Sequence, residues 1–277
     1  MGDGGHRTGE IHPHCVTKGA YNMENLSFDM LAFLMGAGFV ACFIDSVVGG
    51  GGLISVPALM LTGLPPVTVL GTNKMASVMG SFTSVLSFMK SGKVDCKLIK
   101  FLFPLSLIGS ALGVYTVQFI PPHFLKPLVI ILLVLVTIYS LLRKNWGETS
   151  TYTGMTDKTA WMSGIIAFVL GFYDGFFGPG TGSFLLFGFL LIGFDFVTAS
   201  GNARALNFGS NIAAVIVFGS IGSINYYYAI PMGLAMIIGA LAGTRMAITK
   251  GAAYVRPLFI SVSTLLIGKQ LWDIMHH

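Results

Sequence analysis

Long apolar segments alternate with short polar ones along most of this 277-residue chain. Eight of the apolar segments approach the roughly 20 residues that an α-helix needs to cross a bilayer. Two others are too short to cross, and each directly follows a glycine-rich break. The pattern predicts an all-α polytopic membrane protein. The ten segments are 27–48, 53–63, 67–89, 101–119, 124–142, 160–177, 182–193, 196–219, 227–247 and 254–272.

Composition supports a membrane protein and excludes a soluble globular one. Only 10% of the residues are charged, whereas a soluble domain carries about 25%. With 54% hydrophobic residues, the chain has too few polar side chains to cover the surface of a soluble fold. The 36 glycines are typical of closely packed membrane helices.

Residues 1–25 differ from the rest of the chain because they contain no long apolar run. A signal peptide needs an apolar core of about 7–15 residues, and this segment has none. We interpret residues 1–25 as a disordered leader, or as residues upstream of a start at Met23.

The two halves of the chain resemble each other. Residues 26–142 and 160–277 align as repeats, with the polar segment 143–159 as a linker. One single-residue insertion reconciles shifts of 129 and 130 residues, and Lys74 matches Arg204 within one position. We predict that each repeat holds a helix and a half-helix joined by a glycine break, followed by three transmembrane helices. The matches include Asp45 with Asp174, Gly49 with Gly178, Gly51 with Gly180, Asn73 with Asn202, Gly109 with Gly239 and Gly113 with Gly243.

Basic residues predict how the chain is oriented, because Lys and Arg concentrate in cytoplasmic loops. The loops 64–66 and 220–226 carry none, whereas the loops 90–100 and 245–256 and the linker carry ten. Equivalent loops of the two repeats therefore lie on opposite sides of the membrane. This predicts inverted repeats, which many secondary transporters share. The ten are Lys90, Lys93, Lys97, Lys100, Arg143, Lys144, Lys158, Arg245, Lys250 and Arg256.

The two glycine breaks are candidates for a substrate site. Backbone within the membrane must be buried in protein or line a wet cavity, because unpaired N–H and C=O groups are costly in hydrocarbon. The glycines either form tight turns and close packing or offer N–H groups to an anion at the half-helix N-termini. These interpretations are compatible. Because an equivalent break precedes a half-helix in each repeat, we favour a substrate site. The candidates are Gly49, Gly50, Gly51, Gly52, Gly178, Gly180, Thr181 and Gly182.

Four ionisable residues lie within the apolar repeats, and such residues are functional candidates by default. Asp45 and Asp174 either accept local turn hydrogen bonds, offset a nearby cation, or carry a coupling proton. Lys74 and Arg204 either snorkel to the interface or hold an oxyanion together with neighbouring amides. The candidate amides are Asn73, Asn202, Asn207 and Asn211.

Enzymatic chemistry is not predicted. The sequence has no nucleophile motif, no pair of catalytic acids and no metal-ligand spacing, so we expect no catalytic residues, no metal and no cofactor. The net charge of +5 is explained by basic cytoplasmic loops rather than by nucleic-acid binding. The sequence does not predict an oligomeric state.

At these residues the chain resembles the sulfite exporter TauE/SafE family, also called the toluene sulfonate uptake permease family. The resemblance covers nearly all of residues 30–270. It implies a bacterial or archaeal cytoplasmic-membrane protein that moves small sulfur-containing anions such as sulfite or organosulfonates, in either direction. The motifs are DSVVGGGGLISVPALMLTGLPP, then GTNKMAS, then GFYDGFFGPGTGSFLLFGFLL, and the segment through Asn202, Arg204 and Asn207.

The sequence therefore predicts an ion- or proton-coupled secondary transporter. The two breaks are expected to meet near the bilayer midplane and to bind a small sulfur-containing anion there. A passive anion channel would use the same basic and N–H groups but needs a continuous pore. An intramembrane enzyme is a third interpretation, which the absence of a catalytic motif disfavours.

Overall fold

The computed structural model describes residues 28–119, 147, 149–251 and ten residues between 253 and 268. The regular structure of these residues is helical, which confirms the predicted all-α class. The leader 1–25 and the predicted span 124–142 lie outside the described residues. The helices are α1 (Phe28–Val48), α2 (Gly52–Met60), α3 (Pro66–Lys90), α4 (Cys96–Val117), α5 (Asp157–Phe176), α6 (Thr181–Ile192), α7 (Phe196–Ser220) and α8 (Tyr226–Lys250).

Four of the described helices, α1, α4, α5 and α8, are long and apolar enough to cross a bilayer. Helices α3 and α7 are also long, with 25 residues each, but they carry the predicted cations Lys74 and Arg204 and the candidate amides. Their polar side chains are largely buried, so they face protein rather than lipid. Four of the eight predicted spans are therefore not among these apolar helices. Two of them form the more polar helices α3 and α7, and the other two, 124–142 and 254–272, are not fully described.

The two short apolar segments form the predicted half-helices. Helix α2 has 9 residues and α6 has 12, so at 1.5 Å per residue they extend roughly 14 and 18 Å, about half of a bilayer core. The preceding breaks contain glycines in the left-handed region, with φ of 81° and 87° at Gly49 and Gly50 and 93° and 89° at Gly178 and Gly180. Tight turns are therefore one role of these glycines.

The first helix of each half packs on the fourth helix of the other half. Helix α1 lies along α8, and α5 lies along α4, while α3 and α7 pack against each other. Glycines permit the close approach at equivalent positions. A Cβ atom at Gly109 would overlap the carbonyl oxygen of Phe168, and one at Gly239 would overlap that of Phe39.

Helices α3 and α7 run antiparallel. Gly71, near the start of α3, packs against the carbonyl of Ser223 beyond the end of α7. Gly201, near the start of α7, packs in the same way against the carbonyl of Lys93 beyond the end of α3. These two contacts are equivalent when the halves are aligned with a shift of 130 residues, as are the N-termini of the two helices at Pro66 and Phe196.

One predicted residue match is wrong by a single position. The backbone N–H of Asp95 donates to Asn202 Oδ1 over 2.8 Å, and that of Asn225 donates to Thr72 Oγ1 over 2.9 Å. Asn202 therefore corresponds to Thr72 rather than to Asn73. The extra residue of the second half lies before α7, and with the shift of 130 Lys74 falls directly on Arg204.

Candidate functional site

A small polar cavity lies between the two glycine breaks and helices α3 and α7. Its volume is about 20 Å³, which is room for one or two water molecules. Eight of the thirteen predicted binding residues line it, together with both candidate coupling carboxylates. The lining residues are Asp45, Gly50, Gly52, Asn73, Lys74, Ser77, Asp174, Gly178, Gly180, Gly182, Asn207 and Asn211.

The two breaks are in direct contact with each other. Gly49 packs so closely on the backbone of Gly182 and Ser183 that a Cβ atom would overlap it. The hydroxyl of Ser183 donates to the carbonyl of Val48 over 3.1 Å. Because Gly52 starts α2 and Gly180 caps α6, the N-termini of both half-helices reach the cavity. Helix N-termini carry partial positive charge and exposed N–H groups, so they favour anions.

Two ion pairs cross between the halves. Lys74 Nζ lies 2.7 Å from Asp174 Oδ2, and Arg204 Nη1 contacts Asp45 Oδ2. Each carboxylate therefore neutralises the cation of the other half, as the offsetting interpretation predicts. Lys74 and Arg204 are 3% and 2% exposed, which excludes snorkelling to the interface.

The two carboxylates have different surroundings. The side chain of Asp174 is 2% exposed and that of Asp45 is 20% exposed. Asp45 accepts the backbone N–H of Gly51 over 2.9 Å, so its predicted turn role is also present. Asp174 instead accepts from Ser210 Oγ over 2.6 Å and from Asn207 Nδ2 over 3.3 Å.

A chain of amides on α7 connects the two ion pairs. Lys74 Nζ donates to Asn211 Oδ1 over 3.1 Å, and Asn211 Nδ2 contacts Asn207 Oδ1 at 3.4 Å. Asn207 Oδ1 also accepts from Arg204 Nη1 over 3.3 Å, while its Nδ2 donates to Asp174. The side chains share one face of the helix because residues three or four apart lie above one another.

Five predicted binding residues do not line the cavity. Gly51 lies beneath Asp45, Gly49 lies in the contact between the breaks, and Arg204 packs against the backbone of Gly182. The hydroxyl of Thr181 donates to the carbonyl of Gly178 over 2.7 Å. Asn202 Oδ1 accepts the backbone N–H of Asp95, which precedes α4. Asn202 therefore links α7 to the start of α4 rather than lining the cavity.

Ser77 and Ser210 reach the site although their sequence context is typical of packing serines. Ser77 lines the cavity, and Ser210 donates to Asp174. The available signal was helical spacing, since Ser77 lies three residues after Lys74 and Ser210 three residues after Asn207. Among the described residues, no cluster of His, Cys, Asp and Glu could hold a metal ion.

Sequence comparison decides the family. A profile described as "Sulfite exporter TauE/SafE" matches residues 34–269, most of the chain. The chain belongs to the TauE/SafE family. It is therefore a multi-pass membrane transporter, in keeping with the apolar helices α1, α4, α5 and α8.

Relatives of this TauE/SafE protein cover nearly its whole length. "Probable membrane transporter protein ORF9" from Sinorhizobium sp is 38% identical over 255 residues, 92% of this chain and 97% of the relative. A "Probable membrane transporter protein" from Haemophilus influenzae is 35% identical, covering 90% and 97%. The Escherichia coli K12 protein YfcA, also named a probable membrane transporter protein, is 33% identical, covering 88% and 90%. No solved structure gives a significant match.

Proposed function

We propose that this TauE/SafE protein is a secondary transporter, coupled to protons or another ion, for small sulfur-containing anions such as sulfite or organosulfonates. The observation that carries the proposal is the convergence of two half-helix N-termini and the Lys74 ammonium on one buried polar cavity. We place it in the cytoplasmic membrane, as a transporter rather than an enzyme.

The donors around the cavity suit an oxyanion. Charged donors such as Lys74 make shorter and stronger hydrogen bonds than neutral ones. Asn73, Gly52 and Gly182 also line the cavity, and an amide side chain and backbone N–H groups are neutral donors. Sulfite and sulfonates present three oxygens from one sulfur centre, so they can accept from several of these groups together. The name of the family supports sulfite, whereas the names of the relatives specify no substrate.

Inverted repeats are the architecture we propose for transport. The antiparallel run of the equivalent helices α3 and α7 supports it, as do the equivalent contacts of Gly71 and Gly201. The opposite loop charges of the two halves support the same arrangement. Alternating access would then move one half against the other around the cavity.

A passive anion channel is the competing function. Its lining would be the same, but conduction needs a continuous wet pathway. The small cavity volume of about 20 Å³ and the two ion pairs that link the halves across it favour a transporter over an open pore.

The proposal is tested with purified protein in proteoliposomes and a panel of sulfite, thiosulfate, sulfate, sulfoacetate and taurine. We expect uptake of at least one sulfur oxyanion against its gradient when a proton gradient is imposed, and loss of that accumulation on adding a protonophore. Protein-free vesicles are the control. Rapid flux that only ever runs down the anion gradient would support the channel, and absence of both flux and binding would reject anion transport.

A further inference from the structure

The Lys74–Asp174 pair and the Asp45–Arg204 pair are equivalent in sequence but not in chemistry. Resting on the proposed function, we infer that Asp174 takes up one proton for each anion that binds at Lys74, whereas Asp45 stays ionised beside Arg204. The two carboxylates thus divide into one proton carrier and one fixed structural partner.

Charge balance is the first step of the argument. The cavity region holds two carboxylates and two cations, so its formal net charge is zero. An anion bound there adds uncompensated negative charge in a buried, low-dielectric place, which is strongly unfavourable. One proton on a carboxylate restores neutrality for a monoanion and removes half of the excess charge of a dianion such as thiosulfate. The only covalent change is the new O–H bond.

The position of Lys74 selects Asp174. Lys74 lines the cavity, while Arg204 lies outside its lining. An anion bound at the Lys74 ammonium therefore competes with the carboxylate that is 2.7 Å from the same nitrogen. When the anion takes over this ammonium, Asp174 loses its counter-charge and binds a proton from the surrounding solution, which the buffer replaces.

The chemistry of the cations points the same way. An arginine guanidinium keeps its charge in proteins and holds a carboxylate in fixed geometry. Asp45 is further fixed by the N–H of Gly51 at the break. A lysine ammonium is a single point of charge on a flexible stem, so Lys74 can turn from Asp174 towards a ligand.

The groups around Asp174 are compatible with its gaining a proton. Each hydroxyl or amide neighbour can reorient to accept or donate, and no second carboxylate touches it among the described residues. Asp45 lines the same cavity as Lys74 and Asp174. Lys74 from α3 and Asn207 and Ser210 from α7 face Asp174. On α5 the neighbouring Tyr173 donates its hydroxyl to the carbonyl of Pro179. Asp45 and Arg204 lie beyond Asn207.

Proton uptake on binding is measured by titration calorimetry of the purified full chain in two buffers that differ in protonation enthalpy. Thiosulfate, sulfite and sulfoacetate are the probes. We expect the wild type to take up about one proton more per bound anion than Asp174→Asn. This difference cancels any proton that the anion itself carries. In the double variant Asp45→Asn with Arg204→Gln, which keeps the formal charge of the site at zero, we expect the uptake of about one proton per bound anion to persist, whatever the affinity.

The outcomes separate this inference from the proposed function. If no probe binds the wild type, the proposed function fails. If probes bind but the wild type and Asp174→Asn take up equal numbers of protons, anion binding stands and proton uptake by Asp174 is wrong. Loss of uptake in the neutral double variant Asp45→Asn with Arg204→Gln, with anion binding retained, would reverse the assignment.

The wild type alone gives a second measurement that does not depend on a folded variant. Thiosulfate keeps a constant charge through the neutral pH range. Its affinity should therefore rise by about tenfold for each unit of pH decrease over the range in which one proton is taken up per bound anion. Thiosulfate affinity that does not change with pH would overturn the inference.

Discussion

Replacing Lys74 with Gln is expected to weaken anion binding by about 100-fold or more. A hydrogen bond to a charged group contributes about 1.5–3 kcal/mol, and each 1.4 kcal/mol is a factor of about ten in affinity. Loss of the net charge in a buried site adds to this. The measurement is the dissociation constant of the panel anion that binds most tightly to the wild type.

Lys74→Gln also has a structural consequence that must be separated from binding. Removing one partner of a buried ion pair costs about 3–5 kcal/mol because the other charge stays buried and unpaired. The double variant Lys74→Gln with Asp174→Asn removes both charges, so it should recover most of the stability without recovering anion affinity. Lys97→Gln, at an exposed lysine at the start of α4, is the charge-matched control and should bind normally. Wild-type affinity in the stable double variant would exclude Lys74 from the site.

Gly49→Ala is expected to destabilise the protein far more than Gly63→Ala. Both glycines are in the left-handed region, with φ of 81° and 74°, so both variants carry a backbone cost of about 1–2 kcal/mol. A Cβ atom at Gly63 meets no atom within 4 Å, whereas one at Gly49 overlaps the backbone of Ser183 and Gly182. Overpacking adds typically about 1–3 kcal/mol and occasionally more.

The matched pair isolates the contact between the breaks from the backbone strain. Apparent thermal unfolding midpoints in detergent or nanodiscs should fall modestly for Gly63→Ala and several times further for Gly49→Ala. Equal shifts would show that the contact between Gly49 and the second break does not hold the two halves together. Anion binding measured on whatever folded Gly49→Ala protein remains should also be weakened, because this contact shapes the cavity.

The helices and breaks were predictable from sequence because their signals are local. Hydropathy predicts the membrane spans, and a glycine run followed by a short apolar segment predicts a half-helix. The two half-helices of the structure start at Gly52 and Thr181. The charged residues Asp45, Asp174, Lys74 and Arg204 stand out because the surrounding segments are almost free of charge.

The pairing of those charges was not predictable in the same way. Internal symmetry is satisfied equally by pairs within a repeat and by pairs between repeats, so only the packing shows that Asp174 contacts Lys74. Asn202 illustrates a second limit. Its amide is in a favourable sequence context, yet a one-residue error in the repeat alignment conceals its role in holding the start of α4.

The position of a bound anion tests the central claim most directly. The protein is imaged with the panel anion that binds most tightly, either by diffraction or by electron cryomicroscopy. We predict density for the anion between Gly50 and Gly52 of the first break and Gly178 to Gly182 of the second, with an oxygen in hydrogen-bonding distance of Lys74 Nζ. Density for the anion at another place, with the Lys74–Asp174 pair intact, would contradict the account.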